Sequence, residues 1–473
     1  MFFLKTEKKN SRLPLAAKVS FAYVICGILQ RCMSFITLPL FTRILTTEQY
    51  GQYTVYISWS GIIMIFLTLN LAYGSFSKAM SKYEDKRDEY ISSAEGICLL
   101  LSLLFLLVYF PLRSYWNKLF ELPTVLVIVM VFEILSQTAI LFWSGKKRFE
   151  FKYKSVIAIT LGSAVLSPLL AFLLMTGTEE KGVARILGYA CVNIVFGGYI
   201  FFLNIYRGKN LYNKDFWKYA FSFNIPLLTY YLSQVIFNQS DRIMISHISG
   251  SSDAAMYGVA YNLSTILVFV LNAINNSYVP WYYDKIKIGR QSENKKIASL
   301  IAVIMSVLIL TVIWFAPEII LIFAGEKYES AIGVVAPVSM SLLLLCYSQF
   351  FINVEFYYEC KKFLAWASVA AALINIALNA LLIPIFGFLA AGYTTLASYI
   401  IFVLSNYWAM KKILKQRGLE DNAYNYKMLI IILVVFTLLA FLGVVLYDLF
   451  VVRLAIILVC AFILFFNAKK YDF

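Results

Sequence analysis

Arg31 stands past the middle of a long apolar segment, and Tyr23, Gly27, Gln30 and Ser34 fall at helical spacing around it. An arginine at bilayer depth costs on the order of 2.5–3.5 kcal/mol on insertion scales, so such a stripe faces protein or water rather than lipid. A second stripe holds Tyr231, Gln234, Asn238 and the pair Asp241-Arg242, and a third holds Tyr261, Ser264, Asn272, Asn275 and Asn276. A guanidinium stays charged when desolvated and donates in a fork that matches phosphate oxygens. Tyr, Asn and Gln supply hydrogen bonds suited to sugar hydroxyls. Together they point to a phosphate-bearing glycolipid, with Gln30, Arg31, Tyr231, Gln234, Asn238, Arg242, Asn272 and Asn276 as substrate-binding candidates. Glu133, one turn before Gln137, and Asp241 are the candidates for a coupling ion. Each has a structural alternative. Arg31 could pair with Glu133, Asp241 with Arg242, and Asn375 with Asn379 could be interhelical glue. Glu95, Glu318 and Glu355 fall near segment ends and read as interfacial.

These residues need membrane helices to hold them. Of 473 residues, 61% are hydrophobic and 14% charged, and the mean hydropathy is +0.76. An ordinary soluble domain carries roughly 25% charged residues, so a soluble enzyme and a disordered scaffold are excluded. Runs of about 20 apolar residues predict about fourteen membrane spans. They lie near 19–41, 52–76, 91–112, 122–144, 155–176, 184–206, 220–247, 255–281, 298–324, 331–357, 363–384, 388–410, 427–447 and 451–468. The expected fold is all-α, because runs such as 429–446 do not alternate as barrel strands would. The N-terminal segment is too long for a signal-peptide core and reads as a retained first span.

The net charge of +15 follows the loops. About 32 of the 41 Lys and Arg residues fall at the N-terminus, the C-terminus and every second connection, which places both termini in the cytoplasm. The charge therefore marks topology and anionic lipid rather than nucleic acid. Seven cysteines without a CxxC pair, and one histidine, His247, leave no metal site or Ser-His-Asp chemistry to expect. No GxxxxGK[ST] loop and no soluble domain interrupts the chain, so no catalytic residue, metal or cofactor is expected. Tyr50-Gly51 is echoed by Tyr257-Gly258, Phe110-Pro111 by Ala316-Pro317, Lys146-Lys147 by Lys361-Lys362, and Gly188-Tyr189 by Gly392-Tyr393. The shared offset, roughly 205–215 residues, predicts two pseudo-symmetric six-helix bundles in the same orientation. They would occupy 1–215 and 216–415, with two additional spans in 416–473. Two such bundles are the architecture of an alternating-access transporter, with substrate held between them.

Leu38-Pro39-Leu40-Phe41-Thr42-Arg43-Ile44-Leu45, followed by Glu48-Gln49-Tyr50-Gly51-Gln52-Tyr53, resembles the N-terminal signature of the Wzx-type polysaccharide transporters. Asp241-Arg242-Ile243-Met244-Ile245 and Tyr257-Gly258 resemble the start of that family's second half. The resemblance implies a flippase of the bacterial inner membrane that moves an undecaprenyl-pyrophosphate-linked oligosaccharide for O-antigen, capsule or exopolysaccharide assembly. It implies coupling to a proton or sodium gradient, and a monomer working with a polysaccharide polymerase and glycosyltransferases. On this view Arg31 contacts the pyrophosphate, Arg242 assists near the outer mouth, and Glu133 answers to the coupling ion. A peptidoglycan-precursor flippase and a multidrug antiporter of the same superfamily are the nearest alternatives. A membrane glycosyltransferase or polymerase would need a catalytic loop that the sequence lacks.

Overall fold

The computed structural model of the protein describes residues 15–456, with the side chains of residues 15–21, 24, 31, 34, 361, 362, 364 and 365 outside that description. The described chain is helical throughout and holds no strand. Its seventeen α-helices begin with α1 (Leu15–Ile44), α2 (Thr47–Thr68), α3 (Phe76–Lys82), α4 (Arg87–Tyr109), α5 (Arg113–Phe120) and α6 (Thr124–Phe149). Next come α7 (Lys154–Met175), α8 (Lys181–Gly208), α9 (Lys214–Ser249), α10 (Ser251–Ser264), α11 (Leu267–Lys287) and α12 (Asn294–Trp314). The last are α13 (Ala316–Phe323), α14 (Ile332–Tyr357), α15 (Lys361–Phe386), α16 (Phe388–Gln416) and α17 (Tyr426–Val445).

Among the described residues, eleven stretches are long and apolar enough to cross a bilayer. The expected second and seventh spans form full-length helices, α2 and α9, that fall short of that apolarity because both carry many hydroxyl, amide and charged side chains. The expected last span, 451–468, lies almost wholly outside the described residues. Two expected spans are broken. Ser264 and Thr265 both turn their hydroxyls back onto carbonyls one turn earlier, at 2.8 Å each, and the helix interrupts there into α10 and α11. The polar stripe expected along one eighth helix is thereby divided, with Tyr261 on α10 and Asn272 and Asn276 on α11. Pro317 in the first turn of α13 separates it from α12, since its ring cannot continue the preceding hydrogen-bond ladder.

The chain forms two compact units. One holds α1 up to Leu38 together with Ile63–Leu228; the other holds Pro39–Ile62 together with the chain from Thr229. Two of the three crossings fall at helix prolines: Pro39 begins the second unit's share of α1, and Pro226 precedes the change within α9. In the first unit α8 packs against both α6 and α7, and in the second α16 packs against both α14 and α15. The first unit's core gathers Phe76, Met80, Ile91, Ile97, Phe142 and Phe216. That of the second is larger and centres on α12, α14 and α16, including Met305, Leu343, Phe350 and Met410. Arg453 is fully buried there and grips the Glu318 carboxylate with two bonds, 2.6 and 3.1 Å, while also donating to the Tyr447 carbonyl at 3.0 Å.

Candidate functional site

In the second unit α9 carries the densest group of sequence-selected residues. Asp241 is 1% exposed and accepts three strong hydrogen bonds. Its Oδ2 takes the Tyr257 hydroxyl of α10 at 2.5 Å and the Thr395 hydroxyl of α16 at 2.7 Å, and its Oδ1 takes the Asn379 amide of α15 at 2.6 Å. Asn379 in turn accepts from Thr394 and donates to Asn375 at 3.3 Å, and Asn375 accepts from Ser240 at 3.2 Å. Four helices thus close a neutral cage of oxygen and amide groups around one carboxylate. Among the described residues no cation is paired with it, and Arg242, the next residue, points elsewhere. The Arg242 guanidinium lies 4.4 Å from the centre of the Tyr261 ring and donates from Nη1 to Gln239 Oε1 at 2.8 Å. Its Nε has no hydrogen-bond partner among the described residues although the residue is 6% exposed. The mutual Asp241–Arg242 pair allowed by the sequence does not form.

Further along the same helix, Gln234 donates to Ser368 of α15 at 2.8 Å. Asn238 donates to the Gln234 carbonyl at 2.7 Å and accepts from the Tyr261 hydroxyl at 3.3 Å. Tyr231 is half-buried, with its ring 5.6 Å from that of Tyr230. Asn238, Tyr261 and Arg242 therefore form one contiguous polar run. Asn272 and Asn276 are exposed on α11 and take no part in it.

The first unit places its polar groups around a cavity of about 470 Å³. Gln30 of α1, Gln137 of α6, Ser163 and Ser167 of α7, and Tyr189 and Asn193 of α8 line it. Glu133, 5% exposed, sits behind that wall and accepts from Gln137 at 3.0 Å and Asn193 at 2.9 Å. Arg31 is on α1 beside Gln30, and its side chain lies outside the described residues, as does its pairing with Glu133.

Sequence reasoning missed three features. Asn375 and Asn379 are partners in the Asp241 cage, not simple glue, a role hidden because Asp241 lies more than 130 residues earlier in the chain. Glu95 and Glu355 are buried inside their units rather than interfacial. Glu95 accepts from Asn204 at 2.7 Å, whereas neither oxygen of Glu355 has a hydrogen-bond partner among the described residues. The Arg453–Glu318 pair was also unforeseen, since a loop arginine and a segment-end glutamate carry no sign of burial.

Comparison with solved structures places this architecture in a known class of membrane transport fold. The chain superposes on a lipid II flippase, MurJ, in an inward closed conformation with a TM-score of 0.69, at 15% identity over 95% of this chain and 98% of that one. It also matches an inward-facing multidrug-resistance MATE transporter of the MOP superfamily, with a TM-score of 0.61 at 12% identity over 82% and 96% of the two chains. The fold is thus the one these two solved membrane proteins share. Residues 16–284, more than half the chain, match the model of the Polysaccharide biosynthesis protein family, and the protein belongs to that family. Relatives include Lsg locus putative protein 1 of Haemophilus influenzae, 22% identical over 76% of this chain and 89% of its own length. An uncharacterized membrane protein of the same organism is 25% identical over 76% and 88%.

Proposed function

We propose that this chain is a flippase, moving an undecaprenyl-pyrophosphate-linked oligosaccharide from the cytoplasmic to the outer leaflet by ion-coupled alternating access. The product would feed O-antigen, capsule or exopolysaccharide assembly, in concert with a polymerase and glycosyltransferases. The proposed arrangement is Wzx-like: fourteen spans, cytoplasmic termini, a monomer, and two repeated six-helix bundles at 1–215 and 216–415 with two further spans beyond.

The observation that carries this reading is the separation of charge on α9. Asp241 is enclosed by neutral oxygens and amides, the surroundings in which a carboxylate exchanges a proton or a small monovalent cation without competition from a resident base. Arg242, one residue on, keeps its guanidinium against an aromatic face with Nε unsatisfied, so it retains a donor for a diphosphate oxygen. Glu133, with its two amide donors beside the first unit's cavity, is the second proposed ion site. Membership in the Polysaccharide biosynthesis protein family supports the glycan part of the proposal.

The test is translocation of a fluorescent polyprenyl-diphosphate oligosaccharide in proteoliposomes, with and without a proton or sodium gradient. Wild type is expected to transport under one gradient, Arg31→Ala and Arg242→Ala to lose most of that activity, and the Lys variants to keep part. Undiminished transport by both Ala variants would remove the arginines from the substrate path. The fold likeness to a lipid II flippase motivates a second arm, complementation of a strain lacking its peptidoglycan-precursor flippase. Growth in that arm, with no glycan transport in the first, would replace this cargo with a peptidoglycan precursor.

A further inference from the structure

α3 is a seven-residue helix with two chemically opposed faces. Phe76, Ala79 and Met80 are buried in the first unit's core, where the Phe76 ring stacks on Phe142 at 5.3 Å. Its start is clamped from α9. Asn224, fully buried, donates to Ser75 Oγ at 2.8 Å and accepts from the Ser75 amide at 3.2 Å. Its end is held by Arg87, whose Nε donates to the Met80 carbonyl at 2.8 Å. The helix cannot roll, so its outer face is fixed.

That face presents Ser77, Lys78, Ser81 and Lys82, all exposed. With Phe149 and Tyr219 they line an open groove of about 670 Å³. Lys82 Nζ stands 4.7 Å from the Tyr219 ring centre and 5.0 Å from that of Tyr83, and Lys78 Nζ stands 5.4 Å from that of Phe223. Among the described residues neither ammonium has a carboxylate within ion-pair distance. Of the acids that follow, Glu84 pairs with Arg87 at 3.3 Å, Asp88 with Lys146 at 2.6 Å and Glu150 with Lys152 at 3.0 Å, while the exposed Asp85 pairs with neither lysine. The groove therefore holds two cations one helical turn apart that lack an ion-pair partner among the described residues, a hydroxyl one residue before each of them, and aromatic walls of the kind that settle at a membrane interface.

We propose that this groove binds the phosphate headgroup of an anionic phospholipid. The lysines receive the phosphate charge, Ser77 and Ser81 donate to its free oxygens, and Phe149 and Tyr219 lie along the glycerol and upper acyl segments. The site belongs to the first unit alone and is independent of the cargo.

Native mass spectrometry of the full-length protein in a neutral detergent, titrated with phosphatidylglycerol or phosphatidylcholine, tests it. Wild type is expected to retain phosphatidylglycerol preferentially. The double variant Lys78→Gln/Lys82→Gln is expected to weaken the tightest phosphatidylglycerol site by about 30-fold, the combined effect of two basic residues at an anionic surface. Lys78→Arg/Lys82→Arg should keep the preference, and Lys118→Gln should leave it unchanged. Unaltered thermal midpoints would show that the exposed substitutions leave the fold intact. Equal retention of the two lipids by wild type overturns the proposal, as does phosphatidylglycerol binding indifferent to the Gln variants. A third arm adds a polyprenyl diphosphate in the same detergent, and lysine dependence for that lipid alone also overturns the phospholipid assignment.

Discussion

Asp241 allows charge to be removed with little change of shape. In Asp241→Asn the Oδ2 position must remain an acceptor, because the hydroxyls of Tyr257 and Thr395 both point at it. The new amide nitrogen then takes the Oδ1 place and faces the Asn379 amide. Turning Asn379 over restores the match: its oxygen accepts from residue 241, and its nitrogen faces Thr394 Oγ1, which can accept. Only the long 3.3 Å bond from Asn379 to Asn375 is given up. The expected cost is therefore about 0.6–1.7 kcal/mol, one interhelical hydrogen bond in a membrane protein. Asp241→Ala instead strands three donors in a site closed to water, an expected loss of about 2–5 kcal/mol. Thermal unfolding of the purified full-length protein, followed by fluorescence-detected size exclusion, should rank wild type just above Asn and well above Ala. In proteoliposomes the Asn variant should lose the gradient-driven component of transport while retaining the fold. Gradient-stimulated transport by Asp241→Asn at the wild-type rate would refute the ion-carrying role. Equal stability of the Asn and Ala variants would refute the hydrogen-bond accounting.

Two further outcomes follow from geometry elsewhere. A Cβ at Gly51 would overlap the backbone carbonyl of Ser251, which cannot yield, whereas one at Gly258 meets the Thr54 methyl at 2.8 Å and no backbone atom, a side-chain clash that a small shift of Thr54 can relieve at the expense of its bond to the Tyr50 carbonyl. Gly51→Ala should then destabilise by about 1–3 kcal/mol and Gly258→Ala by less, since its clash is with a side chain and its helix propensity improves. The same unfolding assay separates them, and equal shifts would show that the crossing is not as tight as drawn. At the end of α6, burial pushes the Glu150 carboxyl upward, but Lys152, Lys146 and Lys147 outweigh it and bring it from 4.5 down to about 2. A lowered folded value contributes stability that is complete above the ordinary carboxylate range and disappears as pH falls through about 2. The thermal midpoint of Glu150→Gln should thus lie below wild type at neutral pH and converge with it between pH 4.5 and 2. A gap independent of pH would assign the effect to packing.

The positions of the membrane helices were legible because a bilayer demands about 20 apolar residues, a signal strong enough to survive errors of a turn at either end. The interruptions were legible only in part. Pro317 carries the chemistry of a break although the expected span 298–324 ran through it, while Ser264-Thr265 breaks the helix through side-chain bonds that ordinary Ser and Thr make in many unbroken helices. For the candidate site, the sequence exposed which residues are costly in lipid, hence Glu133, Asp241 and Arg242. It could not expose partners. Tyr257 is 16 residues from Asp241, and Thr395 is 154 residues away. The same limit explains Glu95 and Glu355, whose place along a helix fixes depth but not the face they occupy.

Gly51 and Gly258 show what such an echo encodes. As sequence, Tyr-Gly at 50 and again at 257 is a marker of period. In the fold, Gly51 of α2 lies against the start of α10 and Gly258 of α10 lies against Thr54 of α2, so the two copies meet within one unit, each clearing space for the other helix. Small residues are what permit close approach where no hydrophobic force drives helices together in lipid. This contact also accounts for residues 39–62 belonging to the second unit although they precede most of the first. Tyr257, one position before the second glycine, is thereby held at the depth from which its hydroxyl reaches Asp241. The glycine fixes the crossing, the crossing sets the tyrosine, and the tyrosine closes the carboxylate cage. A substitution at Gly51 should therefore disturb the coupling proposed for Asp241 without touching a residue that contacts it, which the gradient-driven transport assay of Gly51→Ala would read.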